Sequence, residues 1–315
     1  MLPILAIVLP IFLLIGTGFL ATRQGIITAD QVRGLGRFVI TFALPALVFR
    51  ALSQRPLAEI FDAGYLAVYA LASLAALLGG FVWFRAARRQ GTTESAIRGL
   101  GMAASNSGFI GYPVAAQFLG PTAAVALALT MIVENLIVLP LALALSEAGR
   151  SSHPGAGKIA RGIIANLART PLILAILAGG AFGLAGLHLP APVAKAVGMV
   201  ADASAPVALF TIGGTLVGLR VAGIVGEIAQ VSIGKLVLHP LAAFGFLQFI
   251  PVADPDLRRA AIVLACIPMF SVYPIIGGRY GQEKVCAAAL LAATTASFVT
   301  IPIVLWLVGA GSTAG

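Results

Sequence analysis

The sequence predicts an all-α integral membrane protein of ten spans, built as two five-helix halves that repeat one another. Three observations carry this. Of 315 residues, 60% are hydrophobic and 10% charged, and the mean hydropathy is +1.04; a soluble domain usually carries about a quarter charged residues. Apolar runs of about 20 residues, the length that crosses hydrocarbon, recur along the whole chain. Characteristic residues of the first half also return in the second at one fixed offset.

The runs fall at roughly 2–22, 38–53, 63–84, 98–119, 121–146, 168–188, 192–219, 228–250, 259–280 and 284–309. The first lacks a positive n-region and reads as a retained span, not a cleaved signal peptide. The second and seventh carry Arg50 and Lys195 near their ends. No polar stretch is long enough for a soluble domain; the longest runs from Glu147 to about Asn166. Cys266 and Cys286 lie inside apolar segments and read as small core residues, so no disulfide framework, metal site or cofactor is expected.

The net charge of +9 could suggest nucleic acid, but the positive residues sit in short loops between apolar runs. Membrane orientation accounts for them better. Odd-numbered loops hold Arg23, Arg33, Arg37, Arg85, Arg88, Arg89, Arg98, Arg150, Lys158, Arg161, Arg169, Arg220, Lys235, Arg279 and Lys284. Even-numbered loops hold Arg50, Arg55, Lys195, Arg258 and Arg259. This bias places the odd loops in the cytoplasm and both termini outside it. Lys235 and Arg220 are expected to snorkel to the cytoplasmic interface, and His239 to be a buried neutral histidine.

Shifting the chain by 161 residues lays Pro10 on Pro171, Gly18 on Gly179, Gly25 on Gly186, Pro45 on Pro206 and Phe49 on Phe210. Arg98, Phe109, Tyr112, Pro113 and Gly120 fall on Arg259, Phe270, Tyr273, Pro274 and Gly281. Each half has five spans, an odd number, so the second must enter the membrane from the opposite side: an inverted repeat. The fourth and ninth spans match best, and both are broken. Pro113 removes a backbone donor, and Gly108 and Gly111 beside it weaken the helix further; Pro268 and Pro274 interrupt the ninth. Irregular backbone at membrane depth survives only where protein buries it or it lines a wet cavity. Paired broken spans therefore point to a transporter's substrate site, where half-helix N-termini favour a carboxylate. Asn106 contributes an amide there, and Ser107, Ser271, Tyr112 and Tyr273 contribute hydroxyls.

The run Asn106-Ser-Gly-Phe-Ile-Gly111-Tyr-Pro113 resembles the fourth-helix crossover of the auxin efflux carrier family, which includes the plant PIN auxin transporters and bacterial relatives. Leu189-Pro190-Ala-Pro192 and Ala205-Pro206-Val-Ala-Leu are similar to its bacterial members. The resemblance covers essentially the whole chain, without the long cytoplasmic loop of many plant members. It implies scaffold helices 1–2 (residues 1–54) and 6–7 with the preceding loop (148–222), often dimeric. It also implies a mobile transport domain of helices 3–5 (55–147) and 8–10 (223–315), with crossed fourth and ninth helices. Asn106, Pro113 and Pro268 match the family's crossover positions.

The implied function is secondary transport of a small organic anion, either an auxin-like monocarboxylate or a malate- or malonate-type dicarboxylate. The expected setting is the bacterial inner membrane, with H⁺ or Na⁺ coupling open. Glu134 and Asp202 are the coupling candidates, because a charge retained at mid-membrane is a functional hypothesis by default. A sodium-coupled symporter of the bile-acid type would share the fold. A channel or receptor is a further alternative. An intramembrane enzyme finds no support: only three histidines exist and no nucleophile–base or paired-aspartate run occurs.

Overall fold

The structure is a computed structural model that describes residues 2–54, 61–150, 170–218 and 225–310, with side chains from residue 9 to 309. Arg55, His153, Lys158, Arg161, Arg169 and Arg220 lie outside the described residues. Every regular element among the described residues is helical. In chain order these are α1 (Leu2–Arg23), α2 (Ala29–Ser53), α3 (Ala63–Ala87), α4 (Thr92–Ala103), α5 (Tyr112–Leu119) and α6 (Thr122–Ala148). They are followed by α7 (Pro171–Leu184), α8 (Ala191–Leu216), α9 (Val225–Phe246), α10 (Pro255–Ala265), α11 (Tyr273–Gly278) and α12 (Glu283–Ala310).

Six of these, α2, α3, α6, α8, α9 and α12, are long and apolar enough to cross a bilayer. Large apolar side chains such as Leu13, Leu177, Met199 and Phe244 are exposed, as expected where the surrounding solvent is lipid. α2 begins nine residues before the apolar run that signals it. A capping box explains the difference: Thr28 Oγ accepts from the Gln31 N–H, and Gln31 Oε1 accepts from the Thr28 N–H. Residues 98–119 and 259–280 are not continuous helices. The first breaks at 104–106, between α4 and a π-turn leading into α5, and the second at 266–272, between α10 and α11.

Four π-turns share one cause. Those at Val39–Ala43, Ser107–Gly111, Glu134–Val138 and Gly234–Leu238 each end two residues before a proline: Pro45, Pro113, Pro140 and Pro240. A proline ring clashes with the carbonyl four residues back and offers it no N–H. Widening the preceding turn by one residue moves that carbonyl aside and lets the helix continue. The helix limits also echo the offset of 161: α6 begins at Thr122 and α12 at Glu283, α5 at Tyr112 and α11 at Tyr273. Gly25 (φ 76°) and Gly186 (φ 61°) are both left-handed, as are Gly120 (φ 62°) and Gly281 (φ 72°).

The chain divides into two compact units. One comprises Met1–Ala63, Gly108–Leu129 and Ile164–Gly218. In it α1 packs along the second part of α8, and α2 packs against α7 and the first part of α8. Backbones touch where glycines allow it: Gly18 lies on the Phe210 carbonyl and Gly213 on the Ile15 carbonyl. Gly179 meets Phe49 and Leu52 in the same way, beside an edge-on Phe49–Phe182 pair at 5.2 Å.

The other unit comprises Gly64–Ser107, Thr130–Ile163 and Leu219–Gly315. Here α4 packs on the end of α6, and α12 packs against α9, α10 and α11. Arg98, expected among the cytoplasmic loop charges, is instead buried in this unit. Its guanidinium pairs with Glu227 at 3.1 Å and donates to Gln282 Oε1 at 2.9 Å, while Gln90 donates to Glu227 at 2.6 Å. A lone arginine there would be very costly, so the pair fastens α4 to the start of α9.

A testable consequence follows from the glycine contacts. Gly213→Ala should destabilise the purified protein by about 2 kcal/mol, because its Cβ enters a backbone carbonyl. Gly16→Ala, whose Cβ meets nothing within 4 Å, should be neutral or stabilise by up to about 1 kcal/mol. Thermal unfolding of both variants in one detergent reads the difference in sign.

Candidate functional site

A second buried polar cluster of this unit lies at the two helix breaks. Lys235, in the π-turn of α9, is 0% exposed. Its three N–H groups face four acceptors: Ser105 Oγ at 2.6 Å, His239 Nδ1 at 2.7 Å, Ala265 O at 3.1 Å and, sharing one of the protons, Ala103 O at 3.4 Å. Ala103 is the last residue of α4 and Ala265 the last of α10. Carbonyls at helix C-termini lack intrahelical partners and carry partial negative charge. The ammonium therefore sits where both broken helices present their negative ends. The expectation that Lys235 snorkels to the interface is corrected here: the stem points inward because the interior supplies four acceptors. With Nδ1 of the neutral ring accepting from Lys235, His239 carries its proton on Nε2 and donates to Ser73 Oγ at 3.1 Å.

Glu134 opens the π-turn of α6 and is 6% exposed. Its carboxylate accepts from the Ser105 N–H at 2.9 Å, from Ser107 Oγ at 3.0 Å and from Tyr69 OH at 3.1 Å. Ser105 Oγ, already accepting from Lys235, lies 3.1 Å from the Tyr69 oxygen. Tyr69 spends its single proton on Glu134, so Ser105 must donate to Tyr69. A directed chain results: Lys235 to Ser105, Ser105 to Tyr69, Tyr69 to Glu134. The buried cation and anion thus compensate each other through the polar residues of the first break.

Asn106 ties the two breaks together. Its N–H donates to Pro268 O at 2.8 Å and its Nδ2 to Ser271 Oγ at 2.9 Å. Its side-chain carbonyl oxygen has no hydrogen-bond partner among the described residues. Of the expected site residues, the structure brings Asn106, Pro268 and Ser271 together, and turns Ser107 toward Glu134. Tyr273 is fully buried and donates to Ile97 O at 3.0 Å, beneath Gly101. Pro274 starts α11. Gly108, Gly111, Tyr112 and Pro113 belong to the first unit, where Gly108 packs on the Leu44 side chain. Asp202 is also in the first unit; its carboxylate is 71% exposed and pairs with Arg50 at 2.8 Å. Sequence reasoning missed Lys235, Tyr69 and Ser105. A lysine well inside the run 228–250 was the available signal, since it costs as much in lipid as Glu134.

A chain whose described elements are all helical, six of them long and apolar enough to cross a bilayer, with a buried lysine and glutamate set at two helix interruptions, has the build of a multi-pass membrane transporter. Residues 3–306 match the family described as "Membrane transport protein", and the chain belongs to that family, the one its resemblance to auxin efflux carriers indicated. It is 32% identical over 316 residues to the "Putative malonate transporter" of Rhizobium meliloti (strain 1021), covering 98% of this chain and 97% of that protein. It is 27% identical over 306 residues to the "Uncharacterized transporter YfdV" of Escherichia coli (strain K12), covering 95% of each. An "Uncharacterized transporter" of Methanothermobacter thermautotrophicus is 30% identical over 76% of each chain. The chain is accordingly a membrane transporter and not an enzyme.

The charge pair yields a double-mutant test. Glu134→Gln leaves the Lys235 ammonium uncompensated and should cost about 3 kcal/mol in unfolding free energy. Glu134→Gln combined with Lys235→Met should cost clearly less than the two single changes added together. Additive losses in thermal or denaturant unfolding would show the two charges to be independent.

Proposed function

We propose that this chain is a secondary carrier of a small organic anion that works by alternating access. Asn106 and Ser271 are its principal substrate contacts. The observation that carries the reading is Asn106, which is held by two residues of the second break, Pro268 and Ser271, and spends only one of its two amide protons there. A polar side chain held this way needs little reordering when a ligand arrives. The Ser271 hydroxyl and the remaining Asn106 amide proton supply donors for a carboxylate. The name of the Rhizobium relative supports a short dicarboxylate of the malonate type over an auxin-like acid.

In this reading the ten spans form two inverted five-helix repeats whose fourth and ninth members cross at the breaks. The matched helix limits and the paired left-handed glycines support the repeat. Residues 55–147 and 223–315 form the moving domain, and residues 1–54 and 148–222 the scaffold, through which the protein dimerises. The setting is the bacterial inner membrane with both termini outside the cytoplasm. Gly108, Gly111, Tyr112 and Pro113 shape the helix that follows the first break, and Tyr273 and Pro274 the helix that follows the second. Glu134 is the coupling candidate; Asp202, exposed and paired with Arg50, is set aside.

Solid-supported-membrane electrophysiology on the purified protein tests this with a panel of mono- and dicarboxylates. Saturable anion-evoked currents are expected. Their absence, together with no ligand-induced thermal shift, would overturn the reading. Asn106→Ala should weaken apparent affinity about tenfold, the equivalent of one to two lost hydrogen bonds, while the protein stays folded at the temperature of the assay. If Glu134 exchanges a proton during the cycle, Glu134→Gln makes the current indifferent to pH; an unchanged pH profile assigns Glu134 to structure alone.

A further inference from the structure

The surroundings of Lys235 have the form of a site for a small monovalent cation. Two backbone carbonyls, one from each broken helix, a serine hydroxyl and an imidazole nitrogen converge on one point at 2.6 to 3.4 Å. No side-chain carboxylate bonds directly to Nζ; Glu134 balances its charge through Ser105 and Tyr69. Backbone carbonyls at two helix C-termini, a hydroxyl and a nearby carboxylate are ligands suited to a hard cation such as Na⁺. The centre of that arrangement is filled by an ammonium at the end of a side chain.

We propose that the α4 and α10 C-termini form a latent monovalent-cation site that this chain occupies permanently with Lys235. The lysine is a tethered replacement for a dissociable ion. It neutralises the helix ends in every step of the cycle, so no cation need bind or leave. This rests on the carrier reading and deepens it, because it assigns the anion cycle to the sodium-independent class. It also accounts for the depth of the lysine: a shorter or surface-directed cation would leave two carbonyls facing hydrocarbon unpaired.

The test needs no substrate. Thermal unfolding of the full-length protein is measured in choline chloride and in lithium, sodium and potassium chloride at equal ionic strength. The wild type should unfold at the same temperature in all four. Lys235→Ala opens the site and removes the ammonium. It should unfold earlier in choline and recover with one of the small cations, by about 3 °C once that ion exceeds its Kd tenfold. Lys235→Gln, which keeps donors for the carbonyls, should be indifferent to the cation. A wild-type unfolding temperature that rises specifically with sodium overturns the proposal. So does a Lys235→Ala protein that none of the ions stabilises, or that folds in none of them. Anion-evoked current is read separately on the wild type. Its absence would remove the carrier reading and leave the cation result standing, whereas sodium-stimulated current would remove only the tethered-cation assignment.

Discussion

Backbone carbonyls at the end of a helix have nowhere to turn in hydrocarbon. Water supplies a hydrogen for them in a soluble protein; inside a membrane the protein must supply it. The breaks after Ala103 and Ala265 create that need at two places, and one ammonium meets both. Much of the second unit can be understood from this. Lys235 needs a counter-charge, which Glu134 on α6 supplies through Ser105 and Tyr69. The carboxylate needs donors, which recruits Ser105, Ser107 and Tyr69. The lysine's neighbour one turn on, His239, must accept on one nitrogen, and Ser73 satisfies the other. Each residue is explained by an obligation left by the one before.

The arrangement keeps polarity near the breaks without leaving free charge there. In the proposed carrier, a small anion at Asn106 would meet an ensemble whose full charges, Lys235 and Glu134, already offset each other. Recognition would then fall to neutral donors, and release would be eased, since an anion held by an unopposed buried cation leaves slowly. The second buried pair, Arg98 with Glu227, has a different part: it holds α4 to α9 at the far end of α4 from the break, so the break is carried on a fixed frame.

Much of this was legible in the sequence. The apolar runs announce helices because lipid permits little else, and Pro268 announces the second interruption because proline cannot donate, whereas the first falls at 104–106, ahead of the π-turn that accommodates Pro113. Glu134 was legible as a charge with no local partner. Lys235 was not, although it is equally deep, because a long basic side chain can always be imagined reaching water. Its direction is decided by acceptors at Ala103 and Ala265, which lie far away in the sequence and exist only once both helices have ended. The same holds for Arg98, whose partner Glu227 is 129 residues distant. Tyr112 and Tyr273 show the converse limit. They correspond at the offset of 161, yet Tyr273 is sealed under Gly101 in one unit and Tyr112 belongs to the other. A repeat fixes where a residue stands along its helix but not what it meets.

The π-turns ahead of Pro45, Pro113, Pro140 and Pro240 carry a consequence for how such a chain can vary. A π-turn is an α-helix with one residue too many, and each residue of an α-helix advances its face by about 100°. The helix beyond each turn is therefore set on a different azimuth from the helix before it. Substitution inside these segments changes a contact; deletion of a single residue rotates everything downstream. In α9 that would swing His239 and the rest of the helix away from partners chosen for the wider turn. Length at these four places is thus as much a part of the design as composition, and change by loss or gain of one codon should be confined to the connections between helices.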